Sequence, residues 1–520
     1  MNRLQQVALA VSLGAVGSMA CSAESRTAAC AALTGLKFSE VHASVQKAVW
    51  IPAGAAPAEP GATAGPQLPA HCRVEGVIDP RKGRNGRDYA IGFAVSLPQE
   101  WNGRFLFQGG GGLNGTLLPP LGAAAAGDRP ALARGFAVAS TDSGHKGAGF
   151  DGTFLEDQIA TLNFLYQGVA RSTVAAKQVV TAYYAKPADR SYFVGCSTGG
   201  REAMMMSQRF PDYYDGIVAG APAMRTSYSN LATRWVTASL NAVAPKDAQG
   251  RSQTDRALST ADRKLVVDGL LKACDALDGQ ADGLIFDVKN CRFDPAELAC
   301  KGPKTASCLT TAQTDAIRKG FAGPHTRAGI AVYTGFPYDT GISSQGRGIP
   351  GLLNGGMSME GPAPTGAEMD VDAQATVAHD GRSMAGDSNA WTNLSGFNGK
   401  GGKLVFFHGV SDPWFSAFDT IQYYERLEKD NAPLVLRDWS RLYLVPGMGH
   451  CRGGDRTLDR FDLLSPTVEW VEKGKAPEGV VATGDSLPGR SRPLCPWPEH
   501  AQYQGSGNAE DARNYSCAKR

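Results

Sequence analysis

Three segments of this chain carry residue types that do nucleophilic chemistry when they meet. Gly195-Cys196-Ser197-Thr198-Gly199 sets a serine between two glycines, directly after the apolar run Tyr192 to Val194. A second apolar run, Leu404 to Phe407, ends in His408-Gly409-Val410-Ser411-Asp412, and a third, Leu442 to Val445, leads through Pro446-Gly447-Met448-Gly449 to His450. A serine hydroxyl is a weak nucleophile until a base takes its proton, and a histidine serves as that base when an acid fixes its tautomer. The chain order Ser197, Asp412, His450 is the one expected when a G-x-S-x-G turn joins a strand to a helix and the acid and base follow at later strand ends. The pattern predicts acyl transfer with Ser197 as nucleophile, His450 as general base and Asp412 as the acid that orients it. His408 precedes Asp412 and would reverse the order, so it is read as a structural histidine bonding the backbone. The structural reading leads for His145 as well.

Acyl transfer places negative charge on the former carbonyl oxygen, which needs preorganised backbone donors. The amide of Thr198 is expected to be one, and the glycine run Gly109 to Gly112 to supply another. That run lacks the spacing of a phosphate loop or a dinucleotide fingerprint. Cys196 and Cys451 adjoin Ser197 and His450 directly, so if the serine and histidine meet, the two cysteines are close enough to bond. By loop-closure arithmetic such a bridge contributes at most about 5 kcal/mol.

These groups need a rigid frame. Asp88 to Leu97, Arg104 to Gln108, Phe136 to Ser140, Tyr192 to Gly195, Gly216 to Ala219, Lys403 to Phe407 and Leu442 to Val445 read as strands. Helical spacing marks Gly168 to Lys186, Gly199 to Arg209, Ser416 to Lys429 and Thr467 to Lys473. Short apolar strands alternating with helices imply a mostly parallel sheet covered on both faces, an α/β fold. Gly54 to Pro69 is rich in alanine, proline and glycine and reads as irregular, with structure expected to begin after it. Between residues 224 and 397 strand signals thin out and glycine, proline and four clustered cysteines dominate. This segment is expected to be an inserted lid, with residues 24–223 and 398–520 forming one catalytic domain around it.

The 520 residues carry a net charge of only +2, which gives no electrostatic footprint for nucleic acid or an anionic membrane. A small, weakly charged partner fits better. Met1 to Ala23 has the charged start, apolar run and small-residue end of an export signal, and no later run is long enough to span a bilayer. A secreted or periplasmic protein is expected; lipid anchoring through Cys21 is the weaker reading. Removing Cys21 leaves ten cysteines of the eleven, an even number that suits five disulfides in an exported chain. Asp275-Ala276-Leu277-Asp278-Gly279-Gln280-Ala281-Asp282-Gly283-Leu284 repeats aspartate and glycine at turn spacing. Such a loop can wrap a hard cation; the alternative is a solvated acidic turn.

With Gly195 to Glu202, Phe210 to Pro222, Val445 to Cys451 and the aspartate loop in place, the chain resembles the tannase and feruloyl esterase family, which includes hydrolases of terephthalate monoesters. The resemblance implies an α/β-hydrolase fold with a large lid stabilised by disulfides and calcium, no organic cofactor, and small aromatic esters as substrates. It implies oxyanion donors Gly112 and Thr198, an aromatic wall at Phe415, and one structural calcium on Asp275, Asp278 and Asp282 with backbone oxygens of Gln280 and Leu284. It also implies the pairs Cys30 with Cys72, Cys274 with Cys291, Cys300 with Cys308, and Cys495 with Cys517. Residues 341–397, where lids of this family contact the acyl group, are short and rich in glycine and proline here. Arg347 and Arg382 are the arginines of that stretch that could meet a substrate carboxylate. The alternative function is a calcium-stabilised binding protein that keeps the fold without the activity, against which the complete Ser197, Asp412 and His450 set weighs.

Overall fold

The computed structural model describes residues 23–56, 65–343, 348–350, 352 and 364–519. Residues 1–22 of the expected export signal, Cys21 as an anchor point among them, and Arg347 lie outside the described residues. Nine strands form one sheet: β1 (Ala43–Ile51), β2 (His71–Lys82), β3 (Asp88–Pro98), β4 (Arg104–Gln108), β5 (Ala137–Thr141), β6 (Arg190–Cys196), β7 (Gly216–Gly220), β8 (Lys403–Gly409) and β9 (Ser440–Val445). Their spatial order is β1-β2-β3-β5-β4-β6-β7-β8-β9. The first three strands and the β3/β5 pair run antiparallel, and from β5 to β9 every pair is parallel. A mixed sheet with helices on it is what the α/β-hydrolase expectation requires.

The central residues of the parallel strands are apolar because both faces of the sheet are covered there. Alternate side chains go to opposite faces. Phe105, Phe107, Phe193, Ile217, Leu404 and Phe406 pack under helices α1 (Gly168–Tyr184), α2 (Thr198–Arg209) and α6 (Ala417–Asp430). Leu106, Tyr192, Val194, Val218, Val405 and Tyr443 pack on the other side against Leu464 and Trp470 of α7 (Leu464–Lys473).

One expectation needs correction. Structure does not begin after the Gly54 to Pro69 stretch, because β1 precedes it and pairs with β2 across it. Strand β1 is an edge strand carrying Ser44, Gln46 and Lys47, most of its residues partly or fully exposed, and its apolar stretch is only the four residues Ala48 to Ile51.

Between β7 and β8 the chain leaves the sheet and forms helices α3 (Thr226–Asn241), α4 (Thr260–Cys274) and α5 (Thr311–Phe321). Val236, Leu240, Val266, Ile317, Phe321, Tyr333 and Phe336 give this insertion a core of its own. Five disulfides join Cys30 to Cys72, Cys196 to Cys451, Cys274 to Cys291, Cys300 to Cys308 and Cys495 to Cys517, as expected. Among the described residues no helix is long and apolar enough to cross a membrane.

Candidate active site

Strand β6 hands over to α2 at Ser197, which has φ +64° and ψ −123°. A non-glycine residue held there costs about 1–3 kcal/mol. Burial of a single methionine of α2, such as the fully buried Met204, offsets that, since a buried side chain of this size contributes about 1.5–3 kcal/mol. The turn is pinned by the Ser197 amide donating to Gly220 O at 3.0 Å and by the Arg201 and Ala223 amides donating to Ser197 O at 3.0 and 3.1 Å. It also needs a close backbone approach: a Cβ on Gly195 would sit 2.5 Å from Gly199 O. Ser197 is half-buried, within reach of solvent.

The glycine run after β4 lies against the start of α2. Gly199 N donates to Gly110 O at 3.0 Å, and the Thr198 hydroxyl donates to Gly112 O at 2.5 Å. Gly112 has φ +57°, the left-handed region that favours glycine. Among the described residues neither the Gly112 nor the Thr198 amide donates a hydrogen bond, which leaves two N–H groups beside the serine at a positive helix end. The fully buried Glu202 carboxylate fixes the loop. It accepts from Gly110 N at 2.8 Å, Asn114 Nδ2 at 3.0 Å and Ser143 Oγ at 3.2 Å. Burial pushes this carboxyl up, against the pull of those donors and of Arg201.

Asp412 follows β8 and is buried. Its Oδ1 accepts from the amides of Trp414 at 2.9 Å and Phe415 at 3.2 Å, and its Oδ2 lies 2.7 Å from His450 Nδ1. Burial pushes the carboxyl up, but His450 and His408 beside it outweigh that and hold it well below the usual range. His408, also buried, has Nε2 2.9 Å from Phe415 O and Nδ1 2.9 Å from Thr420 Oγ1. A carbonyl only accepts, so Nε2 carries the proton and His408 anchors the acid loop, as its structural reading expected. His145 likewise sits in a buried stack, its ring 3.6 Å from that of Phe154.

His450 closes the turn after β9, and its Nε2 is buried without a hydrogen-bond partner among the described residues. The Cys196–Cys451 bridge, with Cα atoms 6.0 Å apart across 255 residues of chain, ties the His450 turn to the Ser197 turn. The structure thus brings Ser197, Gly112 and Thr198 together on one side, and Asp412 and His450 on the other, with the disulfide across.

Phe415 packs 5.3 Å from the His450 ring. Two aromatics were not foreseen. Trp414 lies 4.7 Å from the same ring, and Phe150 stands edge-on to Trp414 at 6.2 Å while 59% exposed. Phe150 belongs to the loop whose Gly149 carbonyl accepts from Leu113 N at 2.7 Å, beside Gly112. Arg382 is exposed and pairs with Asp380 at 3.5 Å.

A family model described as tannase and feruloyl esterase matches residues 72–362 and 367–518. The chain belongs to the tannase and feruloyl esterase family. Among relatives in this family, it is 39% identical to a mono(2-hydroxyethyl) terephthalate hydrolase of Piscinibacter sakaiensis, over 91% of this chain and 88% of that one. It is 30% identical to a probable feruloyl esterase of Arthroderma benhamiae, with 82% of each chain covered. The crystal structure of feruloyl esterase B from Aspergillus oryzae superposes with a TM-score of 0.76 at 25% identity, over 95% of this chain and 100% of that one. Tannin acyl hydrolase from Aspergillus niger shares the fold at a TM-score of 0.70 and 21% identity, over 95% of each chain.

The aspartate loop of this family member directly follows α4. Asp275 accepts from Gly283 N at 2.9 Å, and Asp278 from Gln280 N and Phe286 N at 3.1 Å each. Asp282 accepts from Leu284 N at 3.1 Å, but its carboxylate also turns to Arg492 and, at 3.4 Å, to Arg490. Among the described residues no group of three or more His, Cys, Asp or Glu side chains converges as metal ligands do. Burial, with the charges of Asp282 and Asp275 adding to it, pushes the Asp278 carboxyl up to about 7. Asp275 and Asp278 are buried carboxylates without a cationic partner among the described residues, while Asp282 has its two arginines.

Proposed function

We propose that this protein is an exported serine esterase that hydrolyses aromatic carboxylic esters through an acyl-enzyme on Ser197. The observation that carries this reading is the buried Asp412 carboxylate 2.7 Å from His450 Nδ1, with the other histidine nitrogen left free beside the Ser197 turn. The Asp412 oxygen holds the proton on Nδ1, so Nε2 presents a lone pair and takes the Ser197 proton as Oγ attacks the ester carbonyl. The amides of Gly112 and Thr198 receive the oxyanion. Collapse of the intermediate expels the alcohol, which takes the proton from Nε2, and a water activated by the same nitrogen then releases the acid. Five disulfides suit an oxidising compartment and support export.

Trp414, Phe415 and Phe150 form the wall for an aromatic acyl group, from the catalytic domain itself rather than from the short lid stretch. Aromatic pairing contributes about 0.5–1.5 kcal/mol beyond area burial. Phe150→Ala is therefore expected to raise KM for methyl ferulate about fivefold to tenfold while moving KM for 4-nitrophenyl acetate far less. Equal changes for both esters would remove Phe150 from the acyl site. The substrate class is tested by a panel of methyl ferulate, methyl gallate and a terephthalate monoester, on which at least one aromatic ester must outperform 4-nitrophenyl acetate in kcat/KM.

One calcium ion on Asp275, Asp278 and Asp282, with main-chain oxygens of Gln280 and Leu284, completes the reading. Its part is structural: it neutralises buried like charges remote from the chemistry. A ligand bound only to the native state stabilises it by about 2.7 kcal/mol at 100 times its Kd, so chelation should lower the melting temperature and added calcium restore it. Melting that ignores both, in protein shown free of metal, would leave Arg492 and Arg490 as the countercharge of this loop.

A further inference from the structure

Asp339 belongs to the inserted segment, yet it bonds both loops that carry the acid and the base. One carboxylate oxygen, Oδ2, accepts from Ser411 Oγ at 2.7 Å and from Gly447 N at 2.7 Å. Ser411 immediately precedes Asp412, and Gly447 opens the turn that ends in His450. Ser411 Oγ in turn accepts from Gly341 N at 3.0 Å, which closes a small network over residues 339–341. Among the described residues no other side chain of the insertion bonds both loops.

The surroundings make this tie consequential. Asp339 is 2% exposed, and its second oxygen has no partner among the described residues. Burial pushes its carboxyl up, and no cation pairs with it among the described residues, so charge pairing does not account for its place. A cavity of about 1000 Å³ opens beside it, walled by Tyr338, Phe336, Phe321, Val410 and Phe418. The acid and base loops also meet directly, Val410 N donating to Val445 O and Ser411 N to Met448 O at 3.0 Å each, and Asp339 adds the side-chain tie that joins both of them to the insertion. Elsewhere in the neighbouring segment, Tyr333 Oη accepts from Ser416 N at 3.2 Å, and Gly335 O from Ser416 Oγ at 2.6 Å.

We infer that Asp339 is a positioning residue that holds the Asp412 loop and the His450 loop in register, and through them couples the seating of the lid to the alignment of acid and base. This rests on the esterase reading above. It touches neither substrate nor the reacting atoms, so its loss should act on the chemical step. A shift of about 1 Å in such groups can cost about 100-fold in rate.

The experiment compares Asp339→Leu, which keeps the size and removes the acceptor, with Asp339→Asn, whose amide oxygen can take both donors. With 4-nitrophenyl acetate, Asp339→Leu should lower kcat about 30-fold to 100-fold with KM within about threefold, and Asp339→Asn should recover most of the loss. Should Asp339→Leu fail to fold, Ser411→Ala serves, with a kcat loss of about tenfold, since it removes one of the two ties. A folded Asp339→Leu protein with wild-type kcat, a loss confined to KM, or an Asn variant as impaired as Leu would overturn the positioning role. Ser411→Ala at wild-type kcat would do the same. Wild-type protein inactive on every ester tried would sink the esterase reading instead, and so the two failures are told apart.

Discussion

Asp412→Asn is expected to lower kcat about 10⁴-fold in a protein that still folds, the size of effect seen when a triad aspartate is neutralised. The loss follows from where the hydrogens must go. Oδ1 of Asp412 accepts from the main-chain amides of Trp414 and Phe415, and those donors cannot face an NH2 group. The asparagine oxygen must take that place, which turns its NH2 toward His450 Nδ1 and, 3.3 Å away in the native site, toward His408 Nε2. His450 Nδ1 then becomes an acceptor, the ring proton moves to Nε2, and the nitrogen that should take the Ser197 proton is blocked. His408 keeps its bond to Phe415 O, so the loop holds while the tautomer fails. Activity within tenfold of wild type at neutral pH would show that Asp412 is not the orienting acid.

Ser197→Ala should cost more, about 10⁶-fold in kcat, because the serine and its base act as one unit and losing either removes nearly all their joint effect. A residue of catalysis over water should survive, since the Gly112 and Thr198 amides remain. Alanine meets the same backbone strain as serine at φ +64°, so the melting temperature should stay near wild type. Turnover above about one part in a thousand of wild type, in protein free of contaminating esterase, would point to another nucleophile.

The proposed triad was legible in the sequence because each of its residues ends an apolar strand and stands in a glycine turn. Ser197, Asp412 and His450 are at the carboxyl ends of β6, β8 and β9, where open α/β sheets gather ligands. The adjacency of Cys196 and Cys451 to two of them carried the disulfide that crosses the insertion. Residues that support the site were not legible. Glu202 lies one helical turn after Thr198, a spacing that puts both on one face of α2, yet nothing local says that Gly110, Asn114 and Ser143 come to meet it. Asp339 is in a segment without period, and its partners lie 72 and 108 residues away. Trp414 and Phe150 are 264 residues apart by number and meet only because the loops after β5 and β8 converge. Strand β1 was missed for a simpler reason: its apolar run, Ala48 to Ile51, is short, leaves Val49 and Ile51 exposed and leads straight into the glycine- and proline-rich stretch.

Covalent labelling with a fluorophosphonate, followed by peptide mapping, tests the central claim most directly. Such a reagent bonds a serine whose proton is removed by a positioned base, and an ordinary surface serine does not react. The account predicts one adduct, on the peptide containing Ser197, formed in step with loss of esterase activity and absent from the Asp412→Asn protein on the same time scale. An unlabelled Ser197 in active protein, or inactivation accompanied by an adduct on a different residue, would contradict it.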